Sequence, residues 1–207
     1  MKPQFVLLAA LLTSACAYKA EPLSVPAYNV VSSYGEPLPG KWLLYVETEA
    51  LDRPVKTTGY VCSAHSFPLA LGGAFKSSVR QTLANVVEEI EEIPGPIPSA
   101  DVKARGARGL IVVRGEEVRP RLEAQPGFWT ATMDTQALLV ASVSIDGPRG
   151  RLLGTTVEGQ GHADAEAGFA CSGGAKGLAE AAGIAIKDTV RKLGEAVSNS
   201  ERVRASS

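Results

Sequence analysis

The chain has 207 residues, 21 basic and 22 acidic side chains and a net charge of −1. That balance leaves no basic stripe for nucleic acid, and with 6% aromatic residues there are few platforms for stacking bases or sugars. The length is that of one domain plus short appendages.

The first residues address the chain. Lys2 precedes an apolar run, Phe5 to Leu12, which is too short for a bilayer-spanning helix of ~20 residues but has the length of a signal-peptide core. Small residues Thr13, Ser14 and Ala15 then lead to Cys16. This resembles the lipobox of bacterial lipoproteins, in which cleavage exposes a cysteine that is acylated. Thr13 stands where that motif usually has leucine. The competing reading is an ordinary secretory signal cut after Ala17, with Ala15 and Ala17 as the small-residue pair. Under either reading the mature chain leaves the cytoplasm. With Cys16 acylated, the following Ala17 is not aspartate, and the resemblance then implies the outer membrane.

Residues 1–15 are thus expected to be the signal peptide and 16–40 a lipidated cysteine with a proline-rich tether. The apolar residues from Val25 to Val31 keep open a docking of that tether on the domain. A domain is expected over 41–198 and a disordered tail over 199–207.

"KWLLYVETEAL" alternates as a strand, with Trp42, Leu44 and Val46 on one face and Leu43 and Tyr45 on the other. A connection with a short strand near Val55 to Val61 follows. Phe75, Val79, Leu83, Val86, Val87, Ile90 and Ile93 then recur at helical spacing, which predicts one helix ending at "PGPIP". Its "EEIEEI" run reads as a solvated helix face or as a surface for a basic partner. Leu110 to Val113 open a buried strand that continues by alternation past Pro120. "DTQALLVASVSI" alternates clearly, "DGPRG" marks a tight turn at Asp146–Gly147, and Leu153, Thr155 and Val157 return as a third strand. Leu178, Ala182, Ala185, Ile186, Val190, Leu193 and Val197 define a closing amphipathic helix.

This order predicts an α+β two-layer sandwich: a mostly antiparallel sheet of about four to five strands with two parallel helices on one face. Both helix N-termini then lie at one rim. With Cys16 taken by lipid, Cys62 and Cys171 remain in an oxidising compartment, and that shared rim allows a Cys62–Cys171 disulfide, two separate buried thiols being the alternative.

The strand "ARGLIVV", the hairpin "DTQALLVASVSIDGPRGRLLG" and the Ala-rich closing helix resemble YajG-like and LPP20-like outer-membrane lipoproteins and the amino-terminal domain of TolB. The resemblance implies a small periplasmic domain used in envelope assembly or protein contacts, without catalysis or cofactor. It implies a membrane contact through lipid and a protein partner.

Other chemistry is thin. "CSGGAKG" lacks phosphate-loop spacing, so Ser172 reads as a helix cap and the glycines as packing clearance. Cys62, His65, His162 and Cys171 compose the one set suited to a metal or to a small-ligand or enzymatic site. No G-x-S-x-G occurs, and Glu158, Asp164 and Glu166 form an ordinary acidic loop. The candidate interaction surface is the sheet face away from the helices, with Leu138, Val140, Leu43 and Tyr45.

Overall fold

A computed structural model describes Val25 and residues 28–58, 62–127, 131–168 and 171–206. The expected signal peptide and Cys16 lie outside these residues. In chain order come β1 (Leu38–Glu47), a 3-10 turn (Glu49–Leu51), β2 (Asp52–Lys56), β3 (Ser66–Ala70), α1 (Gly72–Leu83), β4 (Val87–Glu92) and α2 (Ser99–Ala104). Then follow β5 (Gly109–Pro126), β6 (Ala131–Gly147), β7 (Gly150–Glu166), α3 (Gly173–Ser198) and α4 (Glu201–Ala205).

The main sheet has the order β4-β1-β5-β6-β7, and β2 and β3 form a separate antiparallel pair. The class is α+β, as the alternation patterns imply, but the sheet is mixed rather than mostly antiparallel. β1 lies parallel to both β4 and β5, while β5, β6 and β7 form the expected antiparallel meander. Helical segments α1 and α2 supply the crossovers that parallel neighbours require. The meander's last turn is Pro148–Arg149, closed by the pair Gly147–Gly150 rather than made at Asp146–Gly147.

The single helix expected through Ile93 is two elements. α1 stops at Leu83, a turn covers residues 84–86, and Val87 to Glu92 become an edge strand beside β1. Val86, Val87, Ile90 and Ile93 suit a helix stripe and a strand equally by spacing, and β-branched residues favour the strand once a neighbour is available. The glutamates of "EEIEEI" then guard an exposed edge. Lys41 and Arg105 meet Glu91 at 2.6 and 3.1 Å, Lys76 and Arg80 meet Glu92, and Glu88 accepts from the Gly40 amide at 2.6 Å. The basic partners of this run are in the chain itself.

The larger core lies between the sheet and α1 and α3. Trp42, Leu44, Phe75, Ile111, Val143, Leu139 and Ile186 are fully or almost fully buried there. α1 begins against Thr48 and Asp52 beyond the end of β1, and α3 begins against Glu166 at the end of β7. Since β1 and β7 run in the same direction, the two helices are parallel. α3 approaches β7 closely because β7 carries Gly159 and Gly161. A Cβ on Gly161 would overlap the Ala181 carbonyl oxygen and stand 2.7 Å from the Ala185 nitrogen.

A second, smaller core covers the opposite face of the sheet. Leu43, Ile93, Val102, Ala107, Leu110 and Val112 pack there beneath α2, with Tyr45 and Ile97 at its margin. The central run of β5 is therefore buried on both faces, which is why it reads as continuous rather than alternating hydrophobicity. Leu43 is 0% exposed and belongs to no free surface.

The docking that the apolar residues from Val25 to Val31 left open is observed in the described residues: Val25 is buried, and the amide of Tyr28 donates to Thr82 Oγ1 at 3.1 Å. The region read as a disordered tail contains α4, capped by Ser200, with Val203 buried and Arg204 stacked 3.9 Å from the Tyr34 ring centroid. Among the described residues no helix is long and apolar enough to cross a membrane.

Candidate functional site

Among the described residues, two places combine chemistry-bearing side chains. The first is the rim where α3 begins. Cys62, in the turn before β3, and Cys171, just before α3, form a disulfide with their α-carbons 6.0 Å apart. Both residues hold positive φ, 62° and 61°, in the left-handed region that side-chain-bearing residues rarely adopt. The bond thus spans a sequence separation of 109 and ties the β2–β3 side of the domain to the closing helix.

This arrangement removes several chemistries. Bonded cysteines offer neither a thiolate nucleophile nor metal ligands. His65 follows in the same turn, its amide donating to the Cys62 carbonyl at 3.0 Å and its ring 6.4 Å from that of Phe67. His162 is elsewhere, on β7 opposite Gln136. The set Cys62, His65, His162 and Cys171 does not assemble into one site. Ser172 occupies the position before α3, but its side chain makes no capping hydrogen bond. The Gly173 amide instead donates to the Ala167 carbonyl at 2.9 Å, and a Cβ on Gly173 would overlap the Glu166 carbonyl oxygen. The glycines are there for close packing.

The second place is the outer face of β5, β6 and β7, away from α1 and α3. Beyond Arg114 these three strands outrun β1, with a bulge between Gly115 and Glu117. Arg53 and Thr58 close the free edge of β5 by hydrogen bonds to the carbonyls of Val118 and Leu122. Side chains alternate across the pleat, so the register sets the surface directly. Leu138 lies between Arg119 and Gln160, and Val140 between Glu117 and Glu158. Gln136 lies between Arg121 and His162, and Asp134 between Glu123 and Asp164. Leu138 and Val140 are half-buried by these longer neighbours. The face is a small apolar centre in a charged frame, not the sheet-wide apolar surface that the strand patterns suggest.

The frame is internally paired. Arg119 and Glu117 meet at 2.6 Å, and Arg121 and Glu123 at 3.0 Å. The hydrogen bond from Arg119 holds the Glu117 carboxyl below its ordinary range, and the same contact raises Arg119. Across β6 and β7, His162 Nε2 lies 3.4 Å from Asp134 and 3.6 Å from Asp164. Their donor atoms fall within 4.8 Å of one another, a spacing open to a divalent cation. The His162 and Asp164 side chains are 55% and 73% exposed, so water competes fully for any such ion. Beside this ladder lies a concavity of about 480 Å³, lined by Arg119, Arg121, Gln136, Leu138, Gln160 and His162. Alternation points to Leu138 and Val140 but not to the surrounding arginines on β5, because register across strands is not visible in one segment.

No family model matches the sequence, and no curated protein matches it. Among solved structures the chain is similar to protein XCC0632 from Xanthomonas campestris, of family model DUF330, at 9% identity. The match covers 84% of this chain and 93% of that one with a TM-score of 0.52. Weaker likenesses are to the hypothetical protein CT253 from Chlamydia trachomatis and to the PelC dodecamer from Paraburkholderia phytofirmans. The CT253 match has 10% identity, 75% and 93% coverage and TM-score 0.41. The PelC match has 12% identity, 83% and 97% coverage and TM-score 0.32. None of the three carries a YajG-like, LPP20-like or TolB name. The first likeness shows a shared fold with a bacterial protein.

Proposed function

We propose that this protein is an outer-membrane lipoprotein, acylated at Cys16, whose periplasmic domain serves as a non-catalytic contact module in envelope assembly. The observation that carries the reading is the Cys62–Cys171 disulfide, since such bonds persist in oxidising compartments. It agrees with the export signal and with a third cysteine at the end of that signal. The YajG-like and LPP20-like resemblance belongs to this proposal.

The partner surface is the outer face of β5, β6 and β7. Leu138 and Val140 provide an apolar centre, and Arg119, Glu117, Glu158 and Gln160 a polar rim, the composition of a protein contact rather than of a catalytic cleft. Leu43 and Tyr45 drop out of that surface because α2 covers them. A photo-crosslinking residue at Leu138 in intact envelopes is expected to trap one dominant protein, and the same group at Lys56 is not. Equal, diffuse crosslinking from both positions argues against the contact surface. Cys16→Ser is expected to release the protein from membranes into the periplasmic fraction; retention refutes the anchor.

The concavity beside Leu138 favours a second reading, a small anionic ligand held by Arg119 and Arg121. It predicts saturable, salt-sensitive binding that Arg121→Gln abolishes.

A further inference from the structure

The register of β5, β6 and β7 sets three carboxylates in one row across the outer face. Asp134 stands directly opposite Glu123 on one side and Asp164 on the other. Like charges placed opposite one another destabilise a sheet. Glu123 has its own cation, Arg121 at 3.0 Å. Asp134 and Asp164 share a different neighbour. Among the described residues neither meets a lysine or an arginine, and the group between them is the imidazole of His162.

His162 precedes Asp164 by two residues on β7, so both side chains leave the same side of the pleat as Asp134. Its Nε2 lies 3.4 Å from Asp134 Oδ1 and 3.6 Å from Asp164 Oδ1. Both distances exceed the roughly 2.7–3.2 Å of an N–H···O hydrogen bond. They match the separation of two ligand atoms around a shared cation. Zinc binds imidazole nitrogen and carboxylate oxygen at about 2.0–2.2 Å, and the edge of a tetrahedron with such bonds is about 3.4 Å. One donor atom from each of the three residues lies within 4.8 Å of the others, so rotation of an exposed carboxylate closes the set. The backbone already holds it, because β6 and β7 pair in unbroken register from Thr132 to Ile145.

The ligand types select the metal. Calcium takes about six to eight oxygens, and water displaces it readily from so few exposed carboxylates. Imidazole instead favours zinc and its transition-metal neighbours. We propose that Asp134, His162 and Asp164 form a zinc site, with one nitrogen and two oxygen ligands and the remaining position open to water. It needs no thiolate, so it is compatible with the Cys62–Cys171 disulfide. The bound ion replaces the repulsion between Asp134 and Asp164 with a shared partner that bridges β6 and β7.

The test titrates zinc chloride into the tag-free full-length protein after dialysis against a chelator. A Cys16→Ser background removes the one thiol outside the disulfide. Isothermal calorimetry is expected to show one equivalent bound. His162→Gln and Asp134→Asn should each weaken binding by at least the roughly 10-fold that loss of a mere supporting partner costs a metal site. His65→Gln, at the other histidine, should leave it unchanged. Asp164→His exchanges one ligand for another and should keep binding that Asp164→Asn loses. His162 and Asp164 side chains are 55% and 73% exposed and that of Asp134 31%, so far-ultraviolet circular dichroism should be the same in every variant. Zinc should also raise the thermal midpoint of the parent and not that of His162→Gln. No saturable binding at millimolar zinc overturns the site, as does binding that survives His162→Gln or falls equally with His65→Gln. Equal loss in Asp164→His and Asp164→Asn reduces the carboxylate to a charge effect and overturns it as well.

Discussion

Replacing Cys62 and Cys171 together by serine, in a Cys16→Ser background, isolates the contribution of the disulfide. The bond closes a loop set by a sequence separation of 109. Chain-entropy reasoning gives a loss of about 16 cal/mol/K in the unfolded state, or about 4.8 kcal/mol at 25 °C. An opposing contribution comes from the backbone. Both cysteines sit at φ near +60°, a conformation that costs about 1 kcal/mol each and that the reduced chain is free to leave. The net expectation is a loss of about 3 kcal/mol. For a domain of this size that corresponds to a fall in Tm of roughly 6–12 °C. Urea titration followed by circular dichroism measures the loss directly, and the m-value should rise because the unfolded chain becomes more expanded. A companion comparison separates the two contributions. Glycine accepts positive φ at no steric cost. The double variant Cys62→Gly with Cys171→Gly should therefore be no less stable than Cys62→Ala with Cys171→Ala, against the usual order. A loss below about 1 kcal/mol would refute the entropic account, and an alanine pair clearly more stable than the glycine pair would refute the backbone account.

Two further outcomes test the packing and the charges. Gly161→Ala drives a methyl group into the backbone of α3 and should cost roughly 1–3 kcal/mol or more, whereas Gly154→Ala, whose nearest neighbour is an arginine tip at 3.8 Å, should change little by the same urea assay. On α3, burial pushes the Asp188 carboxyl upward, but hydrogen bonds from Lys192 and Arg191 outweigh it and hold the group below its ordinary value of 3.8. A depressed carboxylate stabilises the fold above the unfolded pKa and ceases to do so as pH falls through the folded one. Asp188→Asn should therefore be less stable than the parent at pH 7, with the gap closing below about pH 4; a gap of equal size at pH 7 and pH 2.5 would contradict this.

The legible parts of the fold are those written as local period. β1, β6, β7 and α3 each carry a clear repeat of 2 or 3.6 over many residues. The cysteine pair is legible as the two cysteines left once Cys16 is set aside, although Cys62 sits in the turn before β3, a strand away from the start of α1. α1 and β4 read as one helix because Val86, Val87, Ile90 and Ile93 satisfy both periods; only the neighbouring β1 selects the strand. Leu43 and Tyr45 look like an open face within β1 and are covered by α2, a helix of six residues whose Val102 gives no periodic signal of its own. The docked segment before β1 is half-legible: its apolar residues Val25 to Val31 suggest docking, but its grip depends on Ser78, Thr82, Gly194 and Ser198, which read individually as ordinary small residues.

By itself the sequence determined that the charge is balanced and that the chain builds an α+β fold closed by a long amphipathic helix. These are properties of composition and of local periodicity, which short-range sterics and burial translate directly into elements. The mixed sheet, the second core beneath α2, the charged frame around Leu138 and the course of residues 28–37 were decided by tertiary structure. Each depends on which distant segment lies alongside, and a residue such as Ser78 or Glu91 acquires its role only when its partner, Val25 or Lys41, arrives from elsewhere in the chain.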